Sequence, residues 1–305
     1  MRPGVEEREA FHAEGKPGIL PAMSKPSVTI VGPGSLGSAM AMALHTAGYP
    51  IGEIVRGQRR ASQQQARRLA RKVRARSATL SNARLASNVI WLSVPDRVIA
   101  AVAAEIASRT VWRGKTVLHS SGALSSDELR VLKRRGAAVA SLHPLMTFVP
   151  GSQPMLAGVP FAVEGDRAAV RVARRFVLDL KGEIFQIKKK DKAAYHAWGA
   201  FASPLLLATL VTAEEVAGLT GISRATARKR MLPIVRQTIA NYAALGPAEA
   251  FSGPIIRGDA DTVSRHLKAL RKSPGAAEVY LAMARTALRN LPVKNRKALR
   301  KILGG

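Results

Sequence analysis

The chain has 305 residues, of which 47% are hydrophobic and 5% aromatic, with a formal net charge of +28 and no cysteine. That is enough to bury a core in one large or two ordinary domains. Disulfides, iron–sulfur clusters and thiolate zinc sites are excluded, and no run reaches the ~18 consecutive apolar residues of a membrane span.

Residues 1–25 carry balanced charge and Gly/Pro breaks, without the apolar core of a secretion signal, and read as a disordered extension. From residue 26 onward, apolar runs alternate with amphipathic stretches of about a dozen residues. Strands are expected at 27–31, 51–57, 88–96, 115–119, 137–148, 158–166 and 183–189. Helices are expected at 36–47, 61–75, 97–108, 125–136 and 167–180, with only a short segment near 78–82. The alternation predicts an α/β fold with a doubly wound, mostly parallel sheet over 26–166, then a connecting helix and strand at 167–190. Beyond Asp191 the strands stop. Helical spacing at 191–218, 223–245, 260–271 and 276–290 predicts an all-helical domain over 191–290, followed by a basic tail at 291–305. The most apolar stretch, 201–213, reads as a buried helix, and the cysteine-free composition fits a cytoplasmic, membrane-free protein.

The strand–turn–helix "VTIVGPGSLGSAM" at 28–40 carries glycines spaced G-x-G-x-x-G. Gly32 permits the tight turn, Gly34 lets the backbone approach a pyrophosphate, and Gly37 allows close helix–strand packing. Pro33, Ser35 and Leu36 complete the loop, and the helix start offers unpaired N–H groups to phosphates. An NAD site wants an acid about twenty residues on, at the end of the second strand. Glu53 has the right count but begins that strand, whereas its end holds Arg56, Arg59 and Arg60. Guanidinium groups there pair with a 2′-phosphate, so NADP is preferred over NAD. Ser93, Val94 and Pro95 end the next long strand and belong beside the cofactor's middle.

Taken with "WLSVPDRVI", "LHSSGAL", "SLHPLMTF", "DKAAYHAWGAFAS" and "GPIIRGDADTVSRHLKAL", this loop resembles a bacterial family of oxidoreductases. They join a Rossmann-like domain to a domain of unknown function numbered 2520. That family is similar in turn to pyrroline-5-carboxylate reductase and to 6-phosphogluconate and β-hydroxyacid dehydrogenases. The resemblance implies NADP binding, a helical second domain and a homodimer formed through it. The family commonly has Ser-Asn where this chain has Ser203–Pro204, and the proline is expected to kink the helix.

Hydride chemistry leaves the protein to supply position, protons and anchors. Ser120, Ser121 and Gly122 offer hydroxyls and open amides, with His119 beside them able to point either way. Pro144 holds His143 extended at a strand end, where it either faces the cleft or packs structurally. Lys192 and His196, at i and i+4, share one helix face. By the resemblance one of them is the proton donor, and a histidine, which titrates near neutrality, suits the role better. Lys192 ends the run "KKKDK" and is otherwise a solvated lysine. Arg257 either binds a substrate carboxylate or is locked to Asp259. No spacing of ligands supports a metal site. The expected activity is an NADP-dependent oxidoreductase on a small, anionic carbonyl, hydroxy-acid or imine compound. A non-catalytic NADPH-binding regulator or scaffold is the alternative. Nucleic acid, suggested by the charge, ranks behind both because no aromatic residues interleave with the basic runs.

Overall fold

The structure is a computed structural model that describes residues 24–57, 61–151 and 155–304. Two compact units, Met1–His196 and Ala197–Gly305, are each described by themselves. The disordered extension expected at 1–25 lies outside the described residues except for its last two. Of these, Lys25 is firmly held. Its Nζ pairs with Asp179 at 2.8 Å, donates to the Ala47 carbonyl at 2.6 Å and lies over the Tyr49 ring.

In the first unit, β1 (Val28–Val31), β2 (Ile51–Arg56), β3 (Arg76–Thr79), β4 (Val89–Leu92), β5 (Thr116–His119), β6 (Ala138–Pro144), β7 (Pro160–Gly165) and β8 (Glu183–Gln186) form one sheet. Their order is β3-β2-β1-β4-β5-β6-β7-β8, parallel throughout except where β7 runs against β6. Helices α1 (Ser35–Thr46), α2 (Ala61–Lys72), α3 (Ile99–Ile106), α4 (Arg130–Arg134) and α5 (Arg167–Asp179) connect the strands. This is the doubly wound sheet that the alternating pattern predicts. The short segment near 78–82 is where β3 ends; as an edge strand with Ala78 alone buried, it carries no apolar signature.

Strand period sorts the side chains onto two faces. Val28, Ile30, Val89 and Trp91 pack under α1, α2 and α5, while Val31, Ile90 and Leu92 pack under α3 and α4. Residues at both parities are apolar because both faces of a doubly wound sheet are covered. Phe176 of α5 anchors the first face. It stacks on Trp91 at 6.0 Å between centroids and takes the edge of Tyr49 at 4.8 Å. Where β7 ends, Gly165 (φ +141°) lies so close to β6 that a Cβ would sit 2.4 Å from the Val139 carbonyl oxygen.

Helix α6 (Lys192–Ala202) leads into the second unit. There follow α7 (Pro204–Gly218), α8 (Arg224–Leu245), α9 (Pro247–Ala250), α10 (Pro254–Arg257), α11 (Ala260–Leu270), α12 (Pro274–Asn290) and α13 (Arg296–Leu303). The helix expected over 191–218 is broken at Ser203 (φ −131°, ψ −80°), and Pro204 opens α7 at N1, where its missing N–H leaves no bond unmade. The segment read as a basic tail contains α13, whose Leu299 and Leu303 join Val263, Ala284, Leu288 and Val293 in the core of this unit. Arg285 fastens its end by donating to the Leu303 carbonyl at 2.8 Å.

The stretch 201–213, read as a buried helix, instead faces outward in the chain. Phe201 and Leu207 are more than 60% exposed, at 68% and 61%. Helices α11–α13 supply the core of this unit. The buried side chain of α7 is polar: Glu214, bonded through both oxygens to Arg228 of α8 at 2.6 and 2.9 Å. By length and composition alone, Lys189–Gly218 is apolar enough to cross a membrane.

Phe176→Ala removes the ring that Trp91 and Tyr49 pack against, and is expected to destabilise the first unit by about 3–5 kcal/mol. Urea unfolding followed by tryptophan fluorescence measures this; a loss under about 1 kcal/mol would show that the stack does not anchor that face.

Candidate functional site at the carboxyl edge of the sheet

The strand order reverses between β1 and β4, and ligands of open α/β sheets bind at the carboxyl ends beside such a switch point. The glycine loop stands there. Gly32 has φ +96°, and a Cβ on it would lie 2.6 Å from the Ser93 carbonyl oxygen. A Cβ on Gly37 would lie 2.1 Å from the Gly32 carbonyl oxygen, so helix α1 packs directly on the turn. Gly34 faces open space, with nothing within 4 Å of its missing Cβ. Helix α1 starts without a side-chain cap or an acid in its first turn, so its leading N–H groups remain for an anion.

Ser35 and Leu36 open that helix, and Pro33 is buried in the turn. Ser93 and Val94 follow β4 against Gly32, and Pro95 comes next. Among the described residues, the Ser93 hydroxyl is the buried side-chain polar atom with no partner. A buried hydroxyl without a partner is costly, and one placed against a cradle of glycines suits a dinucleotide pyrophosphate. The residues present therefore fit a dinucleotide.

Glu53 is committed elsewhere. It is 5% exposed, pairs with Arg76, and accepts from the backbone N–H groups of Arg84 and Leu85 at 3.1 and 2.9 Å. Arg56 ends β2, half-buried, and donates to the Gly57 carbonyl at 2.9 Å. Arg59 and Arg60 lie outside the described residues.

A second cluster gathers the ends of β5 and β6 with the start of α6. Lys192, read as a solvated lysine in one alternative, is 1% exposed. Its Nζ donates to the Ser121 carbonyl at 3.0 Å and the Ser141 hydroxyl at 2.7 Å, and Ser141 donates to the same carbonyl at 3.0 Å. Burial lowers the Lys192 pKa from its ordinary value, against the opposing pull of Glu164 and Asp96. Glu164 is itself occupied, accepting from the N–H and hydroxyl of Ser126.

His119 points into its own turn. Nδ1 accepts from the Ser121 N–H at 3.1 Å and Nε2 donates to the Ser125 carbonyl at 3.0 Å, which fixes a neutral tautomer. Burial pushes its pKa down to about 4. The Ser121 hydroxyl holds the same turn, donating to Asp96 at 2.8 Å and accepting from the Leu124 N–H at 2.8 Å. The Ser120 hydroxyl accepts from Trp91 Nε1 at 2.7 Å, leaving its own hydrogen to donate.

His143, half-buried, has its Nδ1 2.8 Å from the Tyr195 hydroxyl. Its pKa is pushed down to about 4, chiefly by burial and then by His196 and Lys192. His196 is exposed, with its ring centroid 6.0 Å from that of His143. Gly122 lies beneath both rings: a Cβ there would sit 2.6 Å from His196 Cδ2 and 2.9 Å from His143 Nε2. The structure thus brings together Ser120, Ser121, Gly122, His143, Lys192 and His196. Arg257 belongs to the second unit, exposed at the end of α10, while Asp259 caps α11 by accepting from the Thr262 N–H at 3.0 Å. Sequence reasoning missed Ser141 and Tyr195. The signals were local: Ser141 is two residues from His143 on one strand face, and Tyr195 is three from Lys192 on one helix face.

These residues define a Rossmann-like dinucleotide-binding unit followed by a helical unit. A Rossmann-like domain matches residues 15–144 and a domain of unknown function (DUF2520) matches residues 159–287, and the chain belongs to the family that joins the two. No curated protein matches it. Among solved structures it is similar to BF3122 from Bacteroides fragilis, named as a candidate NADP oxidoreductase. They share 20% identity and a TM-score of 0.73 over 87% of this chain and 98% of that one. It is similar to TM1727 from Thermotoga maritima at 23% identity and a TM-score of 0.66, over 91% of this chain and 98% of that one. A reductive aminase from Aspergillus terreus, in complex with NADPH and ethyl-5-oxohexanoate, matches at 18% identity and a TM-score of 0.61, over 87% and 94% of the two chains. At such identities the likeness is one of fold.

Two predictions follow from these contacts. Ser93→Ala removes an unpartnered buried hydroxyl, so it leaves the ligand-free chain as stable or about 1 kcal/mol more stable. The same change is expected to weaken binding of a nicotinamide dinucleotide about tenfold, as loss of one hydrogen bond of about 1.4 kcal/mol should. Thermal unfolding with and without NADPH checks both. The second concerns acid. The folded pKa values of His119 and His143, about 4, lie below the ordinary 6.5, so the unfolded chain binds more protons in between. Their contribution is complete above about pH 6.5 and is lost as pH falls towards 4, at up to about 1.4 kcal/mol per pH unit for each. Unfolding titrations at pH 7, 5.5 and 4.5 should show His119→Asn with a shallower loss than the wild type.

Proposed function

We propose that the protein is an NADP-dependent oxidoreductase that reduces a small carbonyl or imine compound bearing a carboxylate. The observation that carries this reading is the unpartnered Ser93 hydroxyl against the glycine loop, in the same unit as the buried Lys192 cluster. Bound NADPH supplies the hydride. Gly32, Gly34, Gly37 and the start of α1 would hold its pyrophosphate, with Ser93, Val94 and Pro95 along the middle. The phosphorylated cofactor is preferred because Glu53 is already saturated at the start of β2, whereas Arg56 stands at its end. The A. terreus reductive aminase, which shares the fold, was crystallised with NADPH and a keto ester, and this supports the same cofactor and a carbonyl substrate.

His196 is proposed to give a proton to the developing alkoxide or amine, a role supported by its exposure above Gly122. Lys192, one helical turn earlier, donates to the Ser121 carbonyl and the Ser141 hydroxyl, and burial lowers its pKa from the ordinary lysine value. Ser120 and the amides of the Ser121–Gly122 turn are proposed to orient the substrate. Arg257, exposed at the end of α10, is the proposed anchor for an anionic substrate.

A cytoplasmic homodimer is part of the same proposal. Leu206, Leu207 and Val211 of α7, with Ile234, Ile239 and Leu245 of α8, give the second unit an exposed apolar surface that a second copy would cover. Light scattering after gel filtration should give twice the chain mass, and Leu207→Glu with Ile234→Glu should halve it.

NADPH oxidation against a panel of 2-oxo acids, with and without an added amine, tests the activity. His196→Ala and Lys192→Met should each lower kcat by about 100- to 10,000-fold. Undiminished turnover in both would remove the site assignment. NADPH binding without turnover of any compound would favour a regulator.

A further inference from the structure

His143 and Tyr195 form a pair whose geometry assigns a tautomer. Nδ1 of His143 meets the Tyr195 hydroxyl at 2.8 Å, with the two rings edge to face at 88°. Tyr195 is 6% exposed and takes a second edge contact from Phe185 at 5.9 Å, so its ring is clamped from two sides. On the far side of the imidazole, Nε2 makes no hydrogen bond among the described residues and stands over Gly122, where only a glycine leaves it room.

Of the two possible bonds between these groups, a phenol donating to an unprotonated imidazole nitrogen is the stronger, because the phenol is the better acid and the imidazole the better base. We propose that Tyr195 is a positioning residue. It donates its hydroxyl hydrogen to His143 Nδ1 and so holds His143 as the neutral Nε2–H tautomer. That N–H then points over Gly122 as a donor to the carbonyl oxygen or carboxylate of the substrate. The inference rests on the reductase reading above and deepens it, separating a neutral donor, His143, from a proton-giving group, His196.

The surroundings agree. The charged and titratable groups facing His143 are His196, Lys192, His119 and Asp96, and burial is the chief obstacle to a second proton on the ring. Burial pushes the Tyr195 hydroxyl up to about 12, so the phenol keeps its hydrogen across the working range. A neutral imidazole fixed by a partner on one nitrogen can polarise a carbonyl without exchanging a proton with it.

Long-range nitrogen–proton NMR of the full chain labelled at histidine nitrogens tests this without any substrate. His143→Gln identifies the His143 signals by their loss. In the wild type at pH 7, Nδ1 should have a pyridine-like shift and Nε2 a pyrrole-like shift. Tyr195→Phe, which keeps both ring contacts, should move the Nδ1 resonance and mix the two tautomers. With an active substrate the same variant should lose about tenfold in kcat, with the cofactor KM unchanged. A pyrrole-like Nδ1 in the wild type overturns the proposal, as does a tautomer that Tyr195→Phe leaves unaltered. Because the NMR result needs no turnover, failure of the activity alone would count against the reductase reading and not against the pair.

Discussion

The buried amine of Lys192 is the constraint on which the second cluster depends. A lysine 1% exposed, with no salt bridge among the described residues, is costly unless its hydrogens are taken up. The Ser121 carbonyl and the Ser141 hydroxyl take them, the first in the turn after β5 and the second in the middle of β6. One side chain therefore ties that turn, β6 and the first turn of α6 together. Tyr195 and His196, three and four residues further along that helix, are placed by the same anchor. Gly122 completes the fit, since its bare Cα is what allows two imidazoles to come down on one turn.

The glycine loop imposes the matching constraint on the other side of the switch point. Gly32 and Gly37 are needed because backbone packs against backbone there, with contacts too short for any Cβ. Gly34 differs: among the described residues nothing occupies the space beside it, and the nearby Ser93 hydroxyl has no partner. Two glycines therefore serve the fold, and the third leaves room for a ligand. The division matches what a pyrophosphate cradle demands.

The doubly wound sheet was legible in the sequence because its interior strands are apolar at both parities and its helices carry one apolar stripe. Edge strand β3 was not, since "RSAT" buries one residue and pairs through backbone alone. Position along the strand also told correctly that Glu53 does not stand at the end of β2; its saturation by Arg76 and by backbone amides could come only from the structure. His119 illustrates the limit in another way. Its neighbours in sequence are its partners in space, yet nothing in "LHSSGAL" says that the ring turns back to bond Ser121 and Ser125. The exposure of α7 was hidden because an apolar helix that packs on a core and one that lies exposed have the same composition. The α13 segment was hidden by its charge: four basic residues in "RKALRKIL" outweigh the leucines that bury it.

The proposed reductase requires that the glycine loop beside Ser93 hold NADPH. Titrating NADPH and NADH separately into the wild-type chain, with nicotinamide fluorescence as the readout, tests it most directly. Saturable binding at micromolar concentration, tighter for NADPH than for NADH, is the expected result. Absence of binding by either dinucleotide would contradict it.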